Sequence, residues 1–276
     1  MSHRISELLL KKFGSIKYYW GMEIMRLKDK TAVVTGAAGA IGGAIAERFA
    51  EEGAIVLLSD INTEAGERRV KYIKDKGGSA LFLYADAFKE EELIKLISTS
   101  IEKLGRIDIL VNNVGYDFEI MKGLDEISSE NWNKSIDLNI KSMFVCTREA
   151  GKHMMERRFG KIINMSSIAR RGNPIQLTYS ATKAAMEGFT RSVAQYLGPY
   201  GINVNAIAPA LIETETIKSN VSKDEWEALK ADCEFRYPLG RVGQPIDIAN
   251  CALFLASEES SFITGQVIEV TGGARL

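Results

Sequence analysis

Three features of the sequence predict an α/β fold built on one doubly wound parallel sheet of about seven strands, with a small helical lid insertion. Seven short runs rich in aliphatic and β-branched residues alternate with longer segments of helical period, and these runs are apolar almost throughout. No Pro/Ser-rich linker and no internal repeat divides the chain. Runs of that kind, separated by helices, belong to a parallel sheet covered on both faces. An unbroken composition points to a single domain, expected over residues 26–276.

The expected strands are Thr31–Thr35, Ile55–Ser59, Ala80–Tyr84, Ile107–Val111, Lys161–Met165, Ile202–Ala206 and Gln266–Val270. The first ends in Thr35-Gly36-Ala37-Ala38-Gly39-Ala40-Ile41-Gly42 and leads into a helix over Ala44–Glu52. Small residues at a strand-to-helix turn let the backbone approach a pyrophosphate, whose charge is met by free N–H groups at the helix N-terminus. A turn of this kind makes the predicted fold Rossmann-like. Asp60 closes the second strand, where a carboxylate accepts both ribose hydroxyls and repels a 2'-phosphate. Neither Gly39 nor Ile61 offers a cation to such a phosphate, so NAD is expected in preference to NADP. The alternative is an Asp60 that only caps the next helix.

Leu211–Tyr237 breaks the strand–helix rhythm. It is charged, helical in pattern and inserted between the sixth strand and a helix starting near Pro245, so a lid of about 211–237 is expected at the carboxyl edge of the sheet. Upstream of that insertion stands Tyr179-Ser180-Ala181-Thr182-Lys183, which follows Ser166 and Ser167. Residues at i and i+4 share a helix face, so Lys183 is placed beside the Tyr179 ring. A nearby cation favours phenolate over phenol and prepares a tyrosine for general acid/base work. Read alone, the pair is equally a surface contact of a helix.

Taken in order, these motifs resemble those of the classical short-chain dehydrogenase/reductase (SDR) family, from about Lys28 to the C-terminus. The family's Thr-Gly-x-x-x-Gly-x-Gly turn is matched at Thr35, Gly36 and Gly42, with Ala40 in place of the middle glycine. Its Asn-Asn-Ala-Gly segment appears as Asn112-Asn113-Val114-Gly115, and its Pro-Gly motif as Pro209-Ala210. The resemblance implies a catalytic set of Asn139, Ser167, Tyr179 and Lys183, although Ser167 precedes Tyr179 by twelve residues rather than the family's usual thirteen. Tyr179 is then the general base or acid, and Lys183 lowers the phenol pKa and holds the nicotinamide ribose. Ser167 binds the reacting oxygen, and Asn139 keeps an ordered water. The implied cofactor contacts are Gly36, Gly39 and Ile41 at the turn, with Asp60 at the ribose. Asp86, Ala87, Asn113 and Gly115 follow on the adenine side and along the fourth strand, and Tyr179, Lys183, Ile212 and Thr214 lie near the nicotinamide.

Bulk properties fit that expectation. With 276 residues, 46% hydrophobic and 26% charged, the chain can bury a sizeable core, and 35 basic residues against 36 acidic ones leave a formal net charge of -1. No overall field draws in nucleic acid. Cys146, Cys233 and Cys251 form no Cys-x-x-Cys motif, which suits a reducing cytoplasm. His3 and His153 give no basis for a histidine metal cluster or a Ser-His-Asp triad, so no metal is expected. No apolar run approaches the roughly 18 residues of a transmembrane span, and the protein reads as soluble. Residues 1–25 form an N-terminal extension with a loose apolar stripe of Ile5, Leu8, Leu9, Phe13 and Ile16 among Lys11, Lys12 and Lys17. It lacks the features of a signal peptide. It is either dispensable, with Met22 or Met25 as the natural start, or an amphipathic helix that docks on a partner subunit or a membrane surface.

The remaining charged and aromatic features have ordinary readings. Glu90-Glu91-Glu92 and Glu51-Glu52 are solvated helix faces. Arg170-Arg171 either meets an anionic substrate group or is surface or interface charge, the second being favoured. Trp132, Phe144 and Phe189 lie in helices that the family packs between subunits or into the core.

The function expected is hydride transfer between NAD and a secondary alcohol or ketone of small to medium size, in a homotetramer. The alternatives are an NADP-dependent 3-oxoacyl-type or other carbonyl reductase, and a nucleotide-binding regulator without turnover.

Overall fold

A computed structural model of the protein describes residues 25–219 and 221–274. Apart from Met25, the expected extension at 1–25 lies outside the described residues.

Seven strands stand side by side, all parallel, in the order β3-β2-β1-β4-β5-β6-β7. They are β1 Thr31–Thr35, β2 Ile55–Asp60, β3 Ser79–Tyr84, β4 Ile109–Asn112, β5 Gly160–Met165, β6 Ile202–Pro209 and β7 Val267–Val270. The nine α-helices of the described residues are α1 Ala40–Glu51, α2 Thr63–Asp75, α3 Glu90–Leu104, α4 Ser129–Ile136, α5 Ser142–Arg157, α6 Leu177–Leu197, α7 Glu215–Ser219, α8 Lys223–Arg236 and α9 Pro245–Ala256.

The side-chain period of a strand divides the core into two layers. Val34, Leu58, Val111 and Ile163 face α1 and α9, while Val33, Leu57, Leu110 and Ile162 face α3 and α5. Burial on both faces explains why these runs lack polar alternation. The chain passes from β3 back to β4 on the other side of β1, so the sheet reverses between β1 and β4. A crevice opens at the carboxyl ends of the strands on such a reversal.

Several boundaries differ from the sequence expectation, two of them with a visible physical cause. Helix α1 starts at Ala40 rather than Ala44, because Gly39 is already its N-cap and the small residues after it are helical. β4 starts at Ile109 rather than Ile107. Asp108 sits just before it, 1% exposed, and its side chain is committed to bonds from Thr31 N–H (3.0 Å), Arg106 Nε (3.0 Å) and an Arg157 terminal nitrogen (2.8 Å). The expected lid is two helices, α7 and α8. Ser222 and Glu225 form a reciprocal cap at the start of α8, and Trp226 and Cys233 bury its inner face. No helix among the described residues is long and apolar enough to cross a membrane.

Candidate active site

The glycine turn lies between β1 and α1 at the reversal point. Gly36 adopts φ +64°, a left-handed conformation that favours glycine. A methyl on Gly42 would overlap the Gly36 carbonyl and come within 2.6 Å of Asn113 Nδ2, so that position is closed to side chains. Gly39 is different: a methyl there meets only the Gly36 carbonyl, at 3.4 Å. Gly39 also gives α1 no side-chain cap, leaving the N–H groups of the first turn to face the crevice. Ala40, which replaces a glycine of the SDR pattern, has no positive φ and fits as the first helical residue. Ile41 follows it in that first turn.

Asn113 ties this turn to β4. Its Nδ2 donates to the carbonyls of Thr35 (3.2 Å) and Gly36 (3.0 Å), and its N–H to Thr35 Oγ1 (3.1 Å). Asp60 ends β2 beside the turn; Oδ2 accepts from Ala38 N–H and Oδ1 from Asn62 N–H, each at 3.0 Å. Its carboxylate therefore braces the turn, and its remaining lone pairs are available to ribose hydroxyls. Asn62, not Asp60, caps α2, accepting from Ala65 N–H at 3.0 Å. The uncapped helix start, the turn closed to side chains at Gly42 and the placed carboxylate fit a dinucleotide. Asp86 and Ala87 follow β3 at the same edge, where Asp86 Oδ1 accepts from Phe88 N–H at 3.0 Å.

Tyr179, Lys183, Ser167 and Asn139 converge beyond β4 and β5. A π-helical segment, Asp137–Lys141, joins α4 to α5 and turns Asn139 fully inward. Asn139 grips the main chain of Tyr116, with Oδ1 accepting from its N–H (3.1 Å) and Nδ2 donating to its carbonyl (2.9 Å). A methyl on Gly115 would lie 2.8 Å from Asn139 Oδ1 and 3.0 Å from Lys183 Nζ, so the glycine leaves those two groups open to each other. Ser166 and Ser167 part company here. Ser166 is buried and donates to the Lys183 carbonyl at 3.2 Å, whereas Ser167 is extended, accepts from Ala169 N–H at 3.1 Å and lies near enough to Tyr179 to act on its pKa. The twelve-residue spacing thus brings serine and tyrosine together.

The electrostatics of the pair differ from the sequence expectation. Lys183 lies one turn from Tyr179, its Nζ 5.2 Å from the ring centre, but that nitrogen donates to the Met165 carbonyl at 2.6 Å and not to the phenol. Burial lowers the Lys183 pKa to about 7. Burial also raises the Tyr179 pKa, the charge of Asp117 raises it further, and Ser167 opposes both by hydrogen bonding. Part of the Tyr179 side chain still faces open space. Lys183 alone does not lower the phenol pKa, because the amine is itself short of water and is aimed elsewhere.

The other expected contacts vary. Ile212 is 3% exposed with its side chain in the core, so only its main chain can face a cofactor. Thr214 precedes α7, its Oγ1 accepting from Ile217 N–H at 3.3 Å. Ala210, where the SDR pattern has glycine, needs no positive φ. Arg170 and Arg171 are internally paired: Arg170 binds Glu187 (3.2 Å) and Glu269 (2.6 Å), and Arg171 also binds Glu269. Glu90 pairs with Lys141 (3.4 Å) and Arg148 (3.1 Å), and Glu92 with Lys89 (2.9 Å), so these acidic residues are tethered rather than simply solvated. Asp117 is the charged residue that sequence reasoning missed. Its one signal is its place two residues after the Asn-Asn-x-Gly segment.

A family model described as enoyl-(acyl carrier protein) reductase matches residues 36–275. The chain is 39% identical over 252 residues to (2S)-((R)-hydroxy(phenyl)methyl)succinyl-CoA dehydrogenase subunit BbsD of Thauera aromatica, covering 91% of this chain and 99% of that protein. It is 41% identical over 251 residues to the 3-oxoacyl-(acyl-carrier-protein) reductase FabG of Chlamydia muridarum, covering 90% and 98%. Among solved structures, a 7α-hydroxysteroid dehydrogenase complexed with NADH and 7-oxo glycochenodeoxycholic acid superposes with a TM-score of 0.85 at 36% identity, over 91% of this chain and 96% of that one.

Proposed function

This chain belongs to the short-chain dehydrogenase/reductase family of NAD(P)-dependent oxidoreductases, and on that premise we propose that it interconverts a secondary alcohol and a ketone, using NAD. The observation that carries this reading is the convergence of Tyr179, Ser167, Lys183 and Asn139 beside a turn and carboxylate fit for a dinucleotide.

Bound NAD supplies the carbon that accepts a hydride and the positive ring charge that favours phenolate. In the oxidising direction the carbinol carbon gives up its hydrogen with both bonding electrons, and its hydroxyl proton passes to Tyr179, leaving a carbonyl. In the reducing direction Tyr179 returns that proton. Ser167, near Tyr179, donates to the substrate oxygen and stabilises charge developing there. Lys183 holds the ribose. Its pKa of about 7 lets it exchange a proton near neutrality, with an ordered water carried by Asn139 as the onward step. Gly36, Gly39 and Ile41 meet the pyrophosphate, Asp60 the ribose, and Asp86, Ala87 and Asn113 the adenine side. Gly115, Ile212 and Thr214 line the nicotinamide end.

We further propose a cytoplasmic homotetramer. The three free cysteines favour a reducing compartment, and the exposed Trp132 and Phe144, the latter edge-on to Phe189 at 6.3 Å, offer apolar surface for assembly. Similarity to FabG over nearly the full chain favours a second reading, an NADP-dependent 3-oxoacyl reductase. Asp60 argues against it. A panel of neutral secondary alcohols with NAD, run beside 3-oxoacyl thioesters with NADH and NADPH, tests the two. Faster turnover with NAD(H) supports the first reading, and a clear preference for NADPH on thioesters replaces it with the second.

A further inference from the structure

The segment that follows Gly115 is fastened to Asn139 and to the chain just before α6. Asn139 fixes the Tyr116 main chain, as described, and Met121 N–H donates to the Ile175 carbonyl at 2.7 Å. Between these anchors lies Asp117. Its Oδ1 accepts from Glu119 N–H at 3.1 Å, and its Oδ2 accepts from Gln176 Nε2 at 3.1 Å. Gln176 immediately precedes α6, and Asn173 Nδ2 holds its Oε1 at 2.9 Å. Both carboxylate oxygens are therefore pinned, and the tether leads to the helix end one turn before Tyr179. Among the described residues no Lys or Arg forms a salt bridge with Asp117. The groups that act on Tyr179 are Asp117 from this loop, Ser167 from the end of β5 and Lys183 from its own helix. One tethered carboxylate thus stands near Tyr179 with no salt bridge of its own among the described residues.

We propose that Asp117 is a specificity-determining residue, whose tethered carboxylate turns away substrates carrying an anionic group next to the reacting carbon and selects neutral ones. The proposal rests on Tyr179 being the proton-transferring residue. Like charges brought together repel, and among the described residues no Lys or Arg pairs with Asp117 to relieve the repulsion. The same charge acts on Tyr179. A neighbouring anion opposes formation of phenolate, so Asp117 holds the tyrosine in its phenol form to higher pH. It is a positioning residue for that proton rather than a participant in its transfer.

The test compares wild type, Asp117→Asn and Tyr179→Phe in full-length protein, with ethyl 3-hydroxybutanoate as the neutral probe and 3-hydroxybutanoate as the anionic one. Asp117→Asn removes the charge and keeps one acceptor, for Gln176, while giving up the bond from Glu119 N–H. We expect kcat/KM for the anionic probe to rise relative to the neutral one by on the order of tenfold. The pH midpoint for oxidation is expected to fall by roughly half a unit to one unit. Asp117→Glu, which restores charge, is expected to return both toward wild type. If Tyr179→Phe is inactive while Asp117→Asn leaves both the discrimination and the pH midpoint unchanged, the proposal for Asp117 fails alone. If Tyr179→Phe keeps full activity, the underlying reading of Tyr179 fails instead. Should Asp117→Asn fold poorly, Gln176→Leu keeps the charge but frees it, and unchanged discrimination in that variant also counts against the proposal.

Discussion

Lys183 puts an ionisable nitrogen where it is 2% exposed, so its contribution to stability depends on pH. Burial lowers its pKa from 10.5 to about 7 in the folded chain, while the unfolded chain keeps the ordinary value of about 10.4. Between those values the unfolded state binds a proton that the folded state does not, so stability rises with pH across that window. Below about pH 7 the buried charge is present and its penalty, a few kcal/mol at most, is complete. Lys183→Met removes the titration. The variant is expected to lose turnover, and its stability relative to wild type should be most favourable near about pH 6 and decline toward about pH 9. Melting curves across that range check this, and a difference independent of pH contradicts it. At Asp60 the prediction concerns selectivity. Asp60→Ala removes the ribose acceptor and the bond to Ala38 N–H, so affinity for NAD should fall by on the order of tenfold and discrimination against NADP should narrow. Binding titrations with both dinucleotides decide it. Both residues were legible in the sequence, Lys183 from its spacing and Asp60 from its strand end. The aim of the Lys183 nitrogen at Met165 was not, because a sequence gives the helix face and not the rotamer.

The turn between β1 and α1 allows two outcomes to be separated with single methyl groups. Gly42→Ala collides with the Gly36 backbone, which cannot yield without moving β1, so we expect loss of stability of roughly 1–3 kcal/mol together with loss of cofactor binding. Gly39→Ala meets nothing closer than 3.4 Å, so the fold should survive while the methyl obstructs the approach of phosphate. Denaturant unfolding and dinucleotide titration of the two variants distinguish the effects, and equal behaviour would remove the assignment of this turn. At the opposite edge of the sheet, Asp108 joins the ends of β1 and β4 to α5. Burial acts against its charge, but bonds from Arg157, Thr31 and Arg106 outweigh that and hold its pKa low. The stability from this carboxylate is present above the ordinary aspartate range near about pH 4 and is lost as pH falls through the lowered value. Asp108→Ala strands buried donors and is expected to cost about 3 kcal/mol in urea unfolding at neutral pH. The strands were readable to within three residues because nearly every side chain of β1, β4, β5 and β6 is buried. The early start of α1 and the late start of β4 escaped because each depends on where a partner strand places a turn or a carboxylate.

Across the whole molecule, the order of motifs along the chain carries more information than any one of them. A tyrosine and lysine one turn apart are common, but the sheet order carries them to the same end of the sheet as Gly36 and Asp60. The interpretation of Arg170 and Arg171 needed the fold, since Glu187 lies on α6 and Glu269 on β7. Asp117 needed it too, because its tether to Gln176 spans 59 residues of sequence. Assembly is testable at the same scale: light scattering on the purified full chain should give the mass of four copies, and a monomer would leave Trp132 and Phe144 without the role proposed for them. The most direct test of the central claim is turnover of a neutral secondary alcohol with NAD by wild type and Tyr179→Phe, with NAD affinity measured on the same preparations. The variant is expected to bind NAD within about twofold of wild type and to form no NADH. A variant that forms NADH at the wild-type rate would contradict that claim.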